Sequence, residues 1–234
     1  DLDALAVGVE VQVTAGVDVI CACGSIAQLE SLSHSEWSRC TTLVVSSVAG
    51  RAPVVATVAC DGRSVAHSEE AMALGATAIL LHPRATTTVD EVATVVRKIS
   101  VDVPEARILV YAREGVSLEA SLLERLADVP SVIGVKDGQR NADRFRRAIA
   151  AHAERFIWVA AFEELALPWW AMGADAFCPV SIAYAPAYTR AWWTPLHRGD
   201  AATARAVLAV HAYDLADLRR SRPNIGVSAV KELM

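Results

Sequence analysis

Residues 129–138 read V-P-S-V-I-G-V-K-D-G. Pro130 and Ser131 give a turn, the apolar β-branched run reads as a buried strand, and Asp137-Gly138 ends it. Lys136 therefore stands at the C-terminal end of a predicted strand. The chain has only three lysines, at 98, 136 and 231, against nineteen arginines, so a lysine kept here asks for an explanation. Burial disfavours an ammonium ion and predicts a lowered pKa, which would suit an amine that attacks a carbonyl and forms a Schiff base. The alternative is a lysine that snorkels to water or pairs with Asp137.

Working outward, the same alternation fills the chain. A helical pattern over 2–15 stops at Gly16, and V-D-V-I-C-A-C (17–23) reads as a strand. Ser33 lies three residues before Glu36, a capping-box spacing that opens a helix over 34–48. Strands are predicted at 54–59, 77–81, 107–111, 156–161 and 174–179, and helices at 64–74, 89–100, 117–128, 140–153 and 163–172. From 184 onward the pattern is helical, with breaks at Gly199-Asp200 and Pro223. Seven continuous apolar strands alternating with helices imply parallel strands covered by helices.

An open doubly wound sheet and a closed barrel both fit that alternation. The first strand is followed by G-S-I-A-Q, which is no glycine-rich nucleotide fingerprint. Polar and reactive residues fall instead at the C-terminal ends of several strands: Ser25, Asp61, His82, Tyr111, Lys136 and Cys178. That is the distribution of a (β/α)8 TIM-barrel active site. The expected architecture is a barrel over 1–182 with C-terminal helices over 183–234. Its first strand is expected to be missing, because an eighth has room only before Asp1.

Bulk properties narrow the function classes. The 234 residues are 53% hydrophobic with net charge −5, which disfavours nucleic acid and anionic membrane surfaces as partners. Cysteines 21, 23, 40, 60 and 178 show no CxxC pair and no histidine spacing suited to zinc, so they read as reduced core residues of a cytoplasmic protein. No apolar run approaches the ~20 residues of a membrane span, and no basic-then-apolar leader opens the chain.

With Lys136 on a barrel strand and Tyr111 ending the previous one, the chain resembles the dihydrodipicolinate synthase and N-acetylneuraminate lyase family of Schiff-base aldolases and dehydratases. The likeness runs in order over nearly all 234 residues. A-G-V-D-V-I with its Gly-Ser loop and S-L-S-H-S-E-W is similar to the stretch around the family's Gly-Thr-Thr-Gly-Glu loop. R-A-P-V-V-A-T-V and A-M-A-L-G-A-T-A-I-L-L-H-P resemble its third and fourth strands. I-L-V-Y-A-R resembles its tyrosine strand and V-I-G-V-K-D-G its lysine strand. Gly138, Arg113 and the tail R-R-S-R-P-N-I-G-V-S-A-V-K (219–231) lean toward the 5-dehydro-4-deoxyglucarate dehydratase branch.

The resemblance implies a lyase in which Lys136 forms an imine with a small 2-oxo acid and Tyr111 shuttles protons. Gly24, Ser25 and Ile26 would present a hydroxyl and N–H groups to the substrate carboxylate, with Arg113 and Cys178 completing the substrate shell. It implies no metal or organic cofactor and a homo-oligomer, dimer or tetramer. A pyruvate-dependent aldolase or synthase and a non-catalytic paralogue are the alternatives. Gly24-Ser25-Ile26-Ala27-Gln28 departs from the family loop, Ala112 replaces an asparagine, His82-Pro83-Arg84 lacks an aromatic residue, and Cys178 replaces a serine. The imine-forming pair is kept while the shell that reads substrate is altered. Residue by residue, Tyr111 also fits an ordinary strand-end tyrosine and Arg113 a solvated one, and His82 reads as a loop histidine rather than a base. The tryptophan pairs 169-170 and 192-193 read as packing or a subunit contact rather than a ligand site, and the arginines of 140–147 as a solvated helix face.

Overall fold

The computed structural model describes residues 1–113, 115–221 and 226–233. Seven parallel strands pair strictly in chain order: β1 (Ile20–Ala22), β2 (Val54–Ala59), β3 (Ala78–His82), β4 (Ile108–Ala112), β5 (Val132–Asp137), β6 (Ile157–Ala160) and β7 (Ala176–Phe177). Helices alternate with them: α1 (Leu2–Thr14), α2 (His34–Val48), α3 (Ser64–Ala73), α4 (Val89–Asp102), α5 (Ala120–Ala127), α6 (Ala142–His152) and α7 (Ala166–Ala171). The sheet curls as a (β/α)8 barrel does, with seven strands in this chain; α8 (Pro186–His197), α9 (Ala201–Ser221) and α10 (Gly226–Lys231) follow.

Strand length follows neighbour number. The end strands β1 and β7, each paired on one side only, have 3 and 2 residues, whereas β2 and β5 have 6. The predicted strands at 17–23 and 174–179 were longer because local apolar content cannot register a lost partner. The capping box at Ser33 and Glu36 forms, and a second, at Thr88 and Glu91, starts α4. The helices expected at 117–128 and 163–172 start later, at Ala120 and, after the turn Glu163–Leu165, at Ala166. Pro223 and Glu114 lie outside the described residues, as does the segment 222–225 of the tail.

One irregularity decides the site. The β4–β5 ladder starts with Ile108 opposite Val132 and then slips one residue at Ile133, so that Leu109 meets Gly134 and Tyr111 meets Lys136. Without the slip Tyr111 would lie opposite Val135. A single extra residue in one strand thus re-aims the lysine beside the tyrosine.

The outer layer holds this strand end in place. Asp137 points away from Lys136 and accepts from Trp169 Nε1 at 2.8 Å, within a buried aromatic stack where Phe145 lies 5.3 Å from Trp169. Trp169 is packing, as expected, and it also satisfies the buried Asp137. Trp192 is fully buried in a second cluster with Leu196, Leu208 and Ala166, which seats α8 and α9 on α7.

Candidate active site

Three adjacent strands end at one level. One step beyond the Leu81–Val110 pair lie His82 and Tyr111, and Tyr111 is paired with Lys136. Partners in a parallel ladder share a face, so the three side chains converge. Lys136 Nζ lies 4.7 Å from the centre of the Tyr111 ring and 3.2 Å from Cys178 Sγ, which follows β7. Cys21 of β1 adds a second thiol, held by Thr57 Oγ1 at 3.4 Å. Lys136, Tyr111, Cys21 and Cys178 are all half-buried. The alternative in which Lys136 pairs with Asp137 fails, because the two point to opposite faces of β5.

Burial pulls the Lys136 ammonium down, but its neighbours Cys178, Tyr111 and Cys21 act against burial and prevail, so its pKa lies above the ordinary lysine value. This corrects the lowered value expected from burial alone: two thiols and a phenol gathered from β1, β4 and the segment after β7 are invisible beside Lys136 in the sequence. The amine must shed a proton before it can attack a carbonyl. The Cys21 thiol is pushed up by burial and by Cys178.

Gly138 allows the tyrosine its place. A Cβ at Gly138 would stand 2.6 Å from Tyr111 Cε2 and 2.7 Å from its hydroxyl oxygen, so the ring lies directly on the backbone after Lys136.

Ser25 sits in the turn Ser25–Ala27 between two non-glycine residues in left-handed conformation, Cys23 and Gln28. Gly24 lies over Thr57, a Cβ there being 3.9 Å from Thr57 Oγ1. Ser25 Oγ is 2.9 Å from His82 Nε2. Arg113 Nη1 reaches His82 Nδ1 at 3.3 Å and Nε2 at 3.2 Å, donates to Pro83 O at 3.3 Å, and meets Glu30 at 3.4 Å. Ile26 is half-buried beside Ser25. Gln28, in the family's glutamate position, accepts from Lys231 of α10.

Sequence reasoning passed over His82. It is the last residue of β3, only 2% exposed, and its ring lies 5.4 Å from that of Tyr111. Burial, then the charges of Arg113 and Lys136, push its pKa down to about 3, so the imidazole is neutral. Its place at a strand end was legible; its partners, up to 57 residues away, were not. Asp61 stands apart from the cluster, pairing with Arg84 at 3.3 Å and Arg63 at 3.7 Å. In the arginine run, Arg146 and Arg147 pair with Asp143 on an exposed face as expected. Arg140 does not: its φ is 55°, its guanidinium lies 4.0 Å over the Phe162 ring, and it pairs with Glu164 at 2.8 Å.

A cleft of about 520 Å³ between α1 and the start of α8, lined by Glu10, Val11, Thr14, Tyr184 and Tyr188, includes none of these side chains. Size alone would favour it as a site. Its lining is mostly apolar and contains no lysine, and it is set apart from the strand ends where Lys136 and Tyr111 meet. Among the described residues no three His, Cys, Asp or Glu side chains are grouped to hold a metal ion, and no helix is long and apolar enough to cross a membrane.

The dihydrodipicolinate synthetase family model matches residues 1–234. The chain belongs to that family. It is 30% identical over 216 residues to a probable 5-dehydro-4-deoxyglucarate dehydratase 2 of Streptomyces coelicolor, covering 90% of this chain and 66% of that protein. It is also 30% identical over 197 residues to a 4-hydroxy-tetrahydrodipicolinate synthase of Thermomicrobium roseum, covering 81% of this chain and 65% of that one. The family member thus spans about two thirds of the length of these two relatives. Among solved structures, dihydrodipicolinate synthase from Oceanobacillus iheyensis superposes with a TM-score of 0.89 at 22% identity, over 100% of this chain and 79% of that one. A prophage protein of the same family from E. coli K12, in complex with pyruvate, gives 0.89 at 20% identity, over 100% and 81%. These two likenesses concern the fold.

Proposed function

We propose that this family member is a Schiff-base-forming lyase on a 2-oxo acid, of the decarboxylating 5-dehydro-4-deoxyglucarate dehydratase kind. The observation that carries the reading is the Lys136 amine at a strand end, 4.7 Å from the Tyr111 ring. Residues 1–182 form the catalytic barrel in this reading, and 183–234 are helices seated on it.

Lys136, once deprotonated, attacks the ketone and water leaves. The resulting protonated imine draws electrons from the neighbouring carbon and acidifies it. Tyr111 carries protons to and from that centre, because its phenol is the group next to the amine that can both donate and accept. Ser25, with the N–H groups of Gly24 and Ile26, holds the carboxylate beside the ketone. Arg113 faces the far end of the substrate, and Cys178 packs beside the imine nitrogen. With an aldarate-derived substrate, loss of that proton expels the β-hydroxyl as water. Loss of the far carboxylate as carbon dioxide, reprotonation of the carbon chain, and return of one water to the imine then free Lys136 and release 2,5-dioxopentanoate.

Similarity to the Streptomyces dehydratase, together with Gly138 and Arg113, favours dehydration. Equal identity to the Thermomicrobium synthase supports a second reading, condensation of pyruvate with an aldehyde. Product analysis separates them. The dehydratase reading expects one carbon dioxide and one 2,5-dioxopentanoate per 5-dehydro-4-deoxyglucarate consumed. A new C–C bond formed from pyruvate and an aldehyde, with no turnover of the aldarate, would favour the synthase. No product from either would leave a paralogue without turnover.

A further inference from the structure

We infer that Cys178 is a catalytic acid: its thiol gives its proton to the hydroxyl that leaves as water when Lys136 forms its imine, and the thiolate left behind is the counter-charge of the protonated imine. The inference rests on the lyase reading above and deepens it, giving a chemical step to a side chain which that reading only packs beside the nitrogen.

Contact at the nitrogen carries the argument. Among the described residues the one hydrogen bond from Lys136 Nζ goes to Cys178 Sγ, at 3.2 Å. An ammonium can only donate, so the sulfur accepts through a lone pair and its own proton stays free for another acceptor. The Cys178 backbone is fixed, its N–H donating to Ala160 O at 2.8 Å. The hydroxyl of a carbinolamine sits on the carbon bonded to Nζ, within reach of a sulfur already in contact with that nitrogen. Tyr111 is placed differently: Nζ lies 4.7 Å from the centre of its ring and is not bonded to its hydroxyl, which leaves the phenol to the neighbouring carbon.

Charge gives the thiolate its second role. A cation held away from water needs a partner of opposite charge. Asp137, the nearest carboxylate in sequence, points to the other side of β5 and is bonded to Trp169. The titratable groups that act on Lys136 are Cys178, Tyr111 and Cys21, and none of them is a carboxylate. Cys21 is held by Thr57 Oγ1 at 3.4 Å and its thiol is pushed up by burial, which leaves Cys178 as the acid in contact with the nitrogen.

The step balances. The neutral Lys136 amine adds to the ketone, one N–H proton passes to the new alkoxide, and a neutral carbinolamine results. The S–H bond then breaks as an O–H bond forms, the C–O bond breaks to release water, and the nitrogen lone pair closes the C=N bond. A neutral pair thus becomes a protonated imine and a thiolate, and hydrolysis of the imine runs the same path in reverse.

The test follows imine formation on the full chain as the rate at which pyruvate and excess borohydride label the peptide containing Lys136. Cys178→Ser keeps the size and a hydrogen-bond partner for Nζ but is a far weaker acid. It is expected to slow labelling at least tenfold, and Cys178→Ala about a hundredfold, with the half-saturating pyruvate concentration changed less than about twofold. A serine variant as fast as the unsubstituted protein, or a loss seen only as weaker saturation, would overturn the inference. The infrared S–H stretch reads the step in the unsubstituted protein itself. Pyruvate is expected to remove the band of one thiol there, and none in Cys178→Ser or Lys136→Arg; a band that persists while the Lys136 adduct forms would overturn the thiolate. An unsubstituted protein that gives no adduct with any 2-oxo acid defeats the lyase reading and this inference together, whereas equal rates in the serine variant defeat the inference alone.

Discussion

Replacing Glu163 by Gln tests how the site is braced from behind. Glu163 opens the turn after β6, is 3% exposed, and is bonded to Ser181, which in turn meets Thr189 at 2.8 Å. Its Oε1 has no partner. Ser181 lies in the turn Val180–Ala183 just beyond Cys178, so this carboxyl ties the end of β6 to the segment that delivers the Cys178 thiol to Lys136. Burial, against the opposing Ser181 hydrogen bond, pushes its pKa from 4.5 to about 7. The folded state therefore holds a proton that the unfolded chain releases. The stability linked to that proton is complete below about pH 4.5 and is lost as pH rises toward 7, reaching a cost of about 3 kcal/mol at pH 8. Between pH 5 and pH 8 the wild-type protein should lose about 2 to 3 kcal/mol that the Gln variant does not. Urea unfolding of both proteins at the two pH values measures this. A buried Gln with an unmatched N–H shifts the variant's whole profile by a constant and cancels in the double difference. Parallel profiles, or a wild type that gains on the variant as pH rises, would refute a buried, proton-holding Glu163.

Two further substitutions probe the front of the site. Gly138→Ala should displace the Tyr111 ring, because the new Cβ would stand under 3 Å from three of its atoms; turnover should fall at least tenfold while urea unfolding registers a loss of about 1–3 kcal/mol. Tyr111→Phe should lower turnover about a hundredfold or more with little change in the pyruvate concentration that half-saturates trapping, and an unchanged rate would remove Tyr111 from proton transfer.

Much of the barrel was legible because its signals are local. The apolar run to Lys136, the Ser33–Glu36 cap and the glycines closing the helices each report on a few neighbouring residues. What was missed depends on distant ones. The slip at Ile133 that pairs Tyr111 with Lys136 leaves no mark on composition. The raised Lys136 pKa comes from side chains on β1, β4 and the segment after β7, whereas burial, the one effect a sequence suggests, acts in the opposite direction. His82 looked like a loop histidine because Pro83 follows it, yet the strand runs through it and Arg113 and Ser25 converge there. Arg140 looked like part of a solvated helix face until its left-handed backbone turned it onto Phe162.

The most direct measurement is mass spectrometry of the protein after borohydride reduction in the presence of pyruvate, run beside Lys136→Arg, which keeps the charge but cannot form the imine. The account predicts a single adduct confined to the peptide containing Lys136 and absent from the variant. An adduct retained in the variant, or none in the wild type across a panel of 2-oxo acids, would contradict it.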